Sequence, residues 1–259
     1  MLKWFYMLKR STSPEQDIDP CSLASHTKES FCRIPLTHEE RKKQSHPLQI
    51  NELSWRIFRI MSEFVEGFQF LSETKSEVTF WGGTRVPASS KWYKEAEKLG
   101  RMCAKGGYTV ITGGGPGIME AGNKGAMEAG GLSLGFNIQL PMEQSLNKYV
   151  TKGLAFHYFF SRKVVMAASS QAYVFFPGGF GTLDEFYEIV TLIETKKMER
   201  TPVICMGKEF WGGLFAWMDE VQVKKFKVID KKDVSIIQVV DSAAEAYEII
   251  KVSEERSFF

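Results

Sequence analysis

The chain has 259 residues, 44% hydrophobic and 25% charged, so it is an ordinary globular protein whose core needs no disulfide or metal staple. Its 33 basic and 31 acidic side chains leave a net charge of +2, which excludes a chain-wide field for a polyanion and implies no nucleic-acid partner. The length fits one large domain with additional material.

Met1 to Arg10 is apolar but too short to span a bilayer, and basic residues break it at both ends. Neither stable membrane insertion nor a secretory leader is expected. Residues 11–47 are rich in Ser, Thr, Lys, His and Glu and show no period, so 1–47 reads as a mobile polar arm. From Leu48 the pattern changes. Trp55, Phe58, Ile60, Met61, Phe64, Val65 and Phe68 recur at helical spacing, which predicts a helical extension over 48–75. Cys21, Cys32, Cys103 and Cys205 are far apart with no CxxC pair, and Cys103 and Cys205 lie in apolar surroundings. This usage points to a reducing, cytoplasmic compartment and no metal site.

Strands and helices then alternate. Val78 to Trp81 is a short buried strand ending in Gly82-Gly83-Thr84, followed by a helix over about 90–105. The strand Tyr108–Thr112 ends in a triple glycine, and a helix over about 116–129 starts with Pro116 at its first position. Leu132–Phe136 is a strand, Phe160–Ser170 a helix and Ala172–Phe176 a strand closed by a second glycine turn. A long helix runs from Thr182 to about Lys197. The strand Pro202–Met206, a helix through Phe215–Met218, the strand Ile236–Val240 and a helix over 242–251 complete the pattern. Continuous apolar strands between helices predict an α/β fold, a Rossmann-like doubly wound parallel sheet over 76–252 with helices on both faces and a tail over 253–259. Ligands bind such sheets at the carboxyl ends of the strands, where both glycine turns lie.

The first turn is Gly113-Gly114-Gly115-Pro116-Gly117. A helix N-terminus carries unpaired amides and a positive dipole end, so a glycine turn before it can cradle a phosphate. It is not a dinucleotide fingerprint, because counting from Gly115 the last glycine falls on Glu120, and no Gly-Lys-Ser/Thr follows for a Walker loop. A plain strand-to-helix turn explains it equally well. The second turn, Pro177-Gly178-Gly179-Phe180-Gly181-Thr182-Leu183-Asp184-Glu185, has its own structural explanation, a capping box between Thr182 and Glu185. Three glycines exceed what a cap requires, however, and two anion-ready turns on neighbouring strands make a pocket.

These strings, with Gly113 to Glu120 and the Ser161-Arg162-Lys163 helix start, resemble the Lonely Guy family of cytokinin riboside 5′-monophosphate phosphoribohydrolases, over about residues 76–250. The resemblance implies a homodimer that hydrolyses the N-glycosidic bond of a nucleoside 5′-monophosphate to free base and ribose 5-phosphate. It implies no metal or organic cofactor. Arg162 and Glu185 match the family's catalytic pair. Lys163, Glu143, Gly178, Gly179, Gly181, Thr182, Asp184 and Thr191 match substrate-contacting positions, beside Gly113, Gly114, Gly115 and Gly117 of the first turn. Gly83 and Thr84 stand where the family usually has Gly-Ser-Ser, and the long amino-terminal extension has no counterpart in the short plant-type members. Phe186, Ile189, Val190 and Ile193 fit either the dimer contact or ordinary core equally well.

Glycosidic cleavage passes through an oxocarbenium-like sugar that needs a nearby anion and an activated water. A first-turn Glu185 would have its anion favoured by the dipole, suiting stabiliser or base. Arg162 cannot donate a proton at neutral pH but can hold phosphate or polarise the leaving base. His157 is a candidate acid, although its neighbours Phe156, Tyr158 and Phe159 suit a packing role. No lysine stands out as a Schiff-base anchor for decarboxylation, and hydride transfer lacks its fingerprint. The rival reading is a non-catalytic nucleotide or cofactor carrier on the same fold.

Overall fold

The computed structural model describes residues 50–139 and 146–254. The arm over 1–47 and Glu143 lie outside the described residues. In chain order the elements are α1 (Ile50–Leu71), β1 (Glu77–Trp81), α2 (Lys91–Lys105), β2 (Thr109–Thr112), α3 (Ile118–Glu128), β3 (Ser133–Ile138), β4 (Lys152–Phe156) and α4 (Phe159–Ser169). They continue with β5 (Ala172–Phe175), α5 (Phe180–Glu194), β6 (Val203–Met206), α6 (Lys208–Trp217), α7 (Lys231–Val234), β7 (Ile237–Val240) and α8 (Ala243–Lys251).

The strands form one seven-stranded parallel sheet in the order β4-β3-β2-β1-β5-β6-β7. The chain builds outward from β1 to β4 and then restarts beside β1 with β5, where Trp81 pairs in register with Phe175. That reversal opens a crevice at the carboxyl ends of β1 and β5. This is the expected doubly wound architecture.

The pleat of β1 shows why the sheet is covered on both faces. Val78 and Phe80 enter one core with Leu99 of α2, Ile118 of α3 and Ile250 of α8. Trp81 enters the other with Val165 of α4, Phe186 of α5 and Trp211 of α6, and Phe64 and Phe70 of α1 pack against it. Each fully enclosed Phe contributes about 1.5–3 kcal/mol relative to exposure. Cys103 and Cys205 are buried free thiols, and burial pushes both well above the ordinary thiol range. No helix among the described residues is long and apolar enough to cross a membrane.

Three local expectations change. β4 was not anticipated: it is a largely exposed edge strand that opens on Lys152 and Gly153, with only its last residue, Phe156, buried. α3 begins at Ile118 rather than 116, because Gly117 at its N-cap takes a left-handed φ of 70° that ends the turn. Beyond α6 the chain continues as a π-helical stretch, Met218–Phe226, before the short α7.

Candidate active site

Three loops meet at the crevice. The Gly83 amide donates to the Pro177 carbonyl (3.0 Å), and the Gly83 carbonyl accepts from the Ile118 amide (3.2 Å). The Phe176 amide donates to the Trp81 carbonyl (2.8 Å). Gly83 therefore laces the loops after β1, β2 and β5 into one rim, while Thr84 beside it is exposed.

The first glycine turn is held from within. The Gly114 amide donates to Thr112 Oγ1 (2.9 Å), and Asn147 Nδ2 donates to the carbonyls of Gly114 (3.1 Å) and Gly115 (3.0 Å). Asn123 Oδ1 accepts from both Asn147 Nδ2 (2.9 Å) and the Thr112 hydroxyl (2.6 Å). These two asparagines, which no sequence motif signalled, fix the turn. A side chain at 117 would collide with the carbonyls of Gly83 and Thr84.

The second turn is open. α5 begins at Phe180 with Gly179 at its N-cap, and no side chain among the described residues caps it. The expected Thr182–Glu185 capping box is therefore absent: Thr182 is the third helical residue and is buried against Gly178. The first-turn amides of α5 have no intrahelical acceptor. Gly179 and Gly181 face open space and neither has a positive φ, while Phe180 between them is 93% exposed.

Two ion-paired groups bridge α4 and α5 behind this turn. Arg162 Nη2 donates to Glu185 Oε1 at 2.9 Å, with side chains only 11% and 12% exposed. Arg162 Nε is buried without a hydrogen-bond partner among the described residues, and Nη1 lies beside Gly113, 3.2 Å from where a Cβ would stand. The arginine thus spans from the first turn to the helix of the second. Lys163 meets Asp184 Oδ2 at 2.8 Å and Glu188 Oε2 at 3.3 Å. Burial opposes the Lys163 ammonium, but these carboxylates outweigh it and its pKa ends above the ordinary value.

Glu185 departs from the sequence expectation. It is the sixth residue of α5, beyond the first turn where the dipole acts. Burial pushes its carboxyl up to about 7, with the Arg162 guanidinium pulling back only in part. Glu188, missed in the sequence although four residues after Asp184 on the same helix face, is also raised by burial.

The crevice thus gathers Gly83, the Gly113–Gly117 turn, Arg162, Lys163 and Gly178–Glu185. Thr191 is not among them: it is exposed nine residues after Thr182, about 13 Å further along the helix. His157 ends beside β4 with its ring edge-on to Tyr158, 4.8 Å between centroids. Of the two roles open to the α5 residues, Phe186, Ile189 and Ile193 take the core one, enclosed within their own chain.

Residues 119–250 match the family model described as possible lysine decarboxylase, just over half of the chain. The chain belongs to this family, the Lonely Guy group. The cytokinin riboside 5′-monophosphate phosphoribohydrolase of Rhodococcoides fascians is 25% identical over 156 residues, 59% of this chain and 79% of the relative. Arabidopsis thaliana LOG4, which carries the same enzyme name, is 28% identical over 96 residues, 37% of this chain and less than half (42%) of the relative. Among solved structures, the molybdenum cofactor binding protein of Rippkaea orientalis superposes with a TM-score of 0.52 at 22% identity, covering 68% of this chain and 96% of that one. The molybdenum cofactor carrier protein of Chlamydomonas reinhardtii gives 0.50 at 23% identity, covering 68% and 97%. Both likenesses speak for the fold alone.

Proposed function

We propose that this family member hydrolyses the N-glycosidic bond of a nucleoside 5′-monophosphate, AMP or a cytokinin riboside monophosphate, to free base and ribose 5-phosphate. The observation that carries this reading is the enclosed Arg162–Glu185 pair beside an uncapped glycine turn. A buried donor without a partner among the described residues, such as Arg162 Nε, calls for a ligand or water. The names of the curated relatives support the same reaction.

The first-turn amides of α5 hold the 5′-phosphate, and the sugar then lies toward Arg162 and Glu185. With a carboxyl near 7, Glu185 is substantially ionised at neutral pH and still basic enough to take a proton. As the C1′–N bond breaks, a water oxygen bonds to C1′. One water proton passes to Glu185, the departing base takes up a proton from solvent, and Glu185 returns its own to solvent to restore the starting state. Arg162 keeps its charge throughout and orients phosphate or base. Lys163 is held protonated, the opposite of what an amine nucleophile requires, so it does not favour decarboxylase chemistry.

A carrier would hold the nucleotide intact. Incubation with AMP separates the readings: free adenine should appear by chromatography, and adenosine should be cleaved far more slowly. Intact, bound AMP would establish the carrier instead, and equal cleavage of adenosine would remove the phosphate cradle. The site is proposed to be completed in a homodimer, which light scattering at micromolar concentration tests; a clean monomer mass overturns it.

A further inference from the structure

We infer that Glu63, on the helix ahead of the sheet, is a positioning residue for Arg162, because its carboxylate ties down the chain entering the helix that carries the arginine and the Ser161 hydroxyl of that helix's first turn. The inference rests on the assignment of Arg162 and Glu185 as the reacting pair.

α4 opens with Tyr158 at its N-cap, whose own side chain supplies no cap. The acceptor comes from α1. Glu63 Oε1 accepts from the His157 amide at 2.7 Å, and Oε2 accepts from the Tyr158 amide at 3.4 Å and from the Ser161 hydroxyl. Glu63 is only 8% exposed. A buried carboxylate is costly unless hydrogen-bonded, and here the two amides just ahead of the helix and the Ser161 hydroxyl provide the compensation. The next residue after Ser161 is Arg162.

The way α1 docks strengthens the case. Its two buried residues among those described are Glu63 and Gly67, one turn apart. Gly67 lies so close to α4 that an added Cβ would stand 3.0 Å or less from Val165 methyls. Meanwhile Trp55, Phe58, Met61 and Val65 remain exposed. A helix held purely by apolar burial would enclose those side chains. This one encloses a carboxylate and a close-approach glycine, both against the helix of Arg162.

Two consequences follow for the site. Glu63 fixes the backbone that enters α4 through the His157 and Tyr158 amides. It also pins the turn from which Arg162 reaches Glu185 and Lys163 reaches Asp184 and Glu188. Loss of these contacts lets that turn fray and Arg162 drift, while the phosphate cradle on α5 stays intact.

The test uses the full chain carrying Glu63→Gln, whose amide group would set N–H donors against the amides that the carboxylate accepts. With AMP, kcat should fall about 10- to 100-fold, the cost of roughly 1 Å of misplacement, while KM changes less than about threefold. A second readout needs no turnover: the Glu185 carboxyl, followed by carbon NMR titration, should move upward as Arg162 withdraws. Asp184 and Glu188 on its own helix face the same carboxyl and remain in place, while Lys163, carried by the same turn of α4, withdraws with Arg162 and adds to the rise. Failure of wild type to cleave AMP with the titration shift intact would sink the reaction and leave the positioning role standing. Unchanged kcat together with an unchanged Glu185 titration overturns the inference. Should Glu63→Gln not fold, Ser161→Ala, which keeps both backbone contacts, must shift kcat and the titration in the same directions; no shift overturns it equally.

Discussion

The two glycine turns look alike in sequence and do different work. In the first, the chain itself demands the glycines: Gly114 and Gly117 have φ of 71° and 70°, and Asn147 and Thr112 occupy the turn's polar groups. In the second, Gly178 makes room for Thr182, but nothing in the chain requires glycine at 179 or 181. Glycine in a helix costs about 0.5–1 kcal/mol relative to alanine, so Gly181, present without steric or conformational need, fits a role toward something outside the chain. The first turn is braced as scaffold, and the second is the proposed cradle. Similar strings therefore mark different roles, and the neighbours of each Cα tell them apart.

The largest effect that sharpens this contrast lies on the helix of the open turn. Glu185→Gln should lower turnover roughly 10²–10⁴-fold while nucleotide binding persists, because the cradle amides remain. Near-wild-type kcat would end the catalytic assignment. The pH dependence follows from the same group. With its carboxyl raised from 4.5 to about 7, activity should climb through about pH 7 as Glu185 ionises. Its stability contribution has the opposite sense. The folded chain binds this proton more tightly than the unfolded one, so the contribution is complete below about 4.5 and lost as pH rises through about 7. Melting temperatures across that window should slope less in Glu185→Gln than in wild type, and equal slopes would mean another group titrates.

The next effect tests the scaffold. Gly117→Ala meets both a left-handed φ and the backbone carbonyls of Gly83 and Thr84, atoms that cannot turn aside. The left-handed conformation alone costs about 1–2 kcal/mol, and the collision adds to it. A fall in melting temperature on the order of 10 °C, or failure to fold, is expected. A soluble variant melting like wild type would mean that the turn is not the rigid rim described.

Legibility divides along similar lines. β1, β2, β5 and β6 are fully buried, so their continuous apolar runs and the sheet they form could be read directly. β4 could not, because it is a largely exposed edge strand. Arg162, Lys163 and the glycine strings were legible as motifs. Glu63, Asn123 and Asn147 were not: each is a single polar residue, and Glu63 finds its partners 94 to 98 positions along the chain. The start of α5 is the most instructive miss. Moving the cap from Thr182 to Gly179 shifts Glu185 from the first turn to the second, from a dipole-favoured anion to a buried carboxyl. A three-residue boundary thus changed the chemistry inferred for one side chain.

The smallest expected effect decides most directly between scaffold and cradle. Gly181 sits in the first turn of α5 with no atom within 4 Å of an added Cβ and no positive φ. Alanine there narrows the unfolded ensemble and suits the helix, so stability should hold or rise by about 0.4–1 kcal/mol. On the proposed reading, the added methyl crowds the approach of a phosphate to the neighbouring first-turn amides. We expect KM for AMP to rise about tenfold, equivalent to roughly 1.4 kcal/mol, with kcat little changed because Arg162 and Glu185 are untouched. Gly117→Ala should show the reverse, lost stability with no selective change in KM. If Gly181→Ala keeps both KM and melting temperature, the phosphate does not lie on this turn. A lower melting temperature with unchanged KM would instead make Gly181 scaffold like its counterpart, and the contrast between the two turns would disappear.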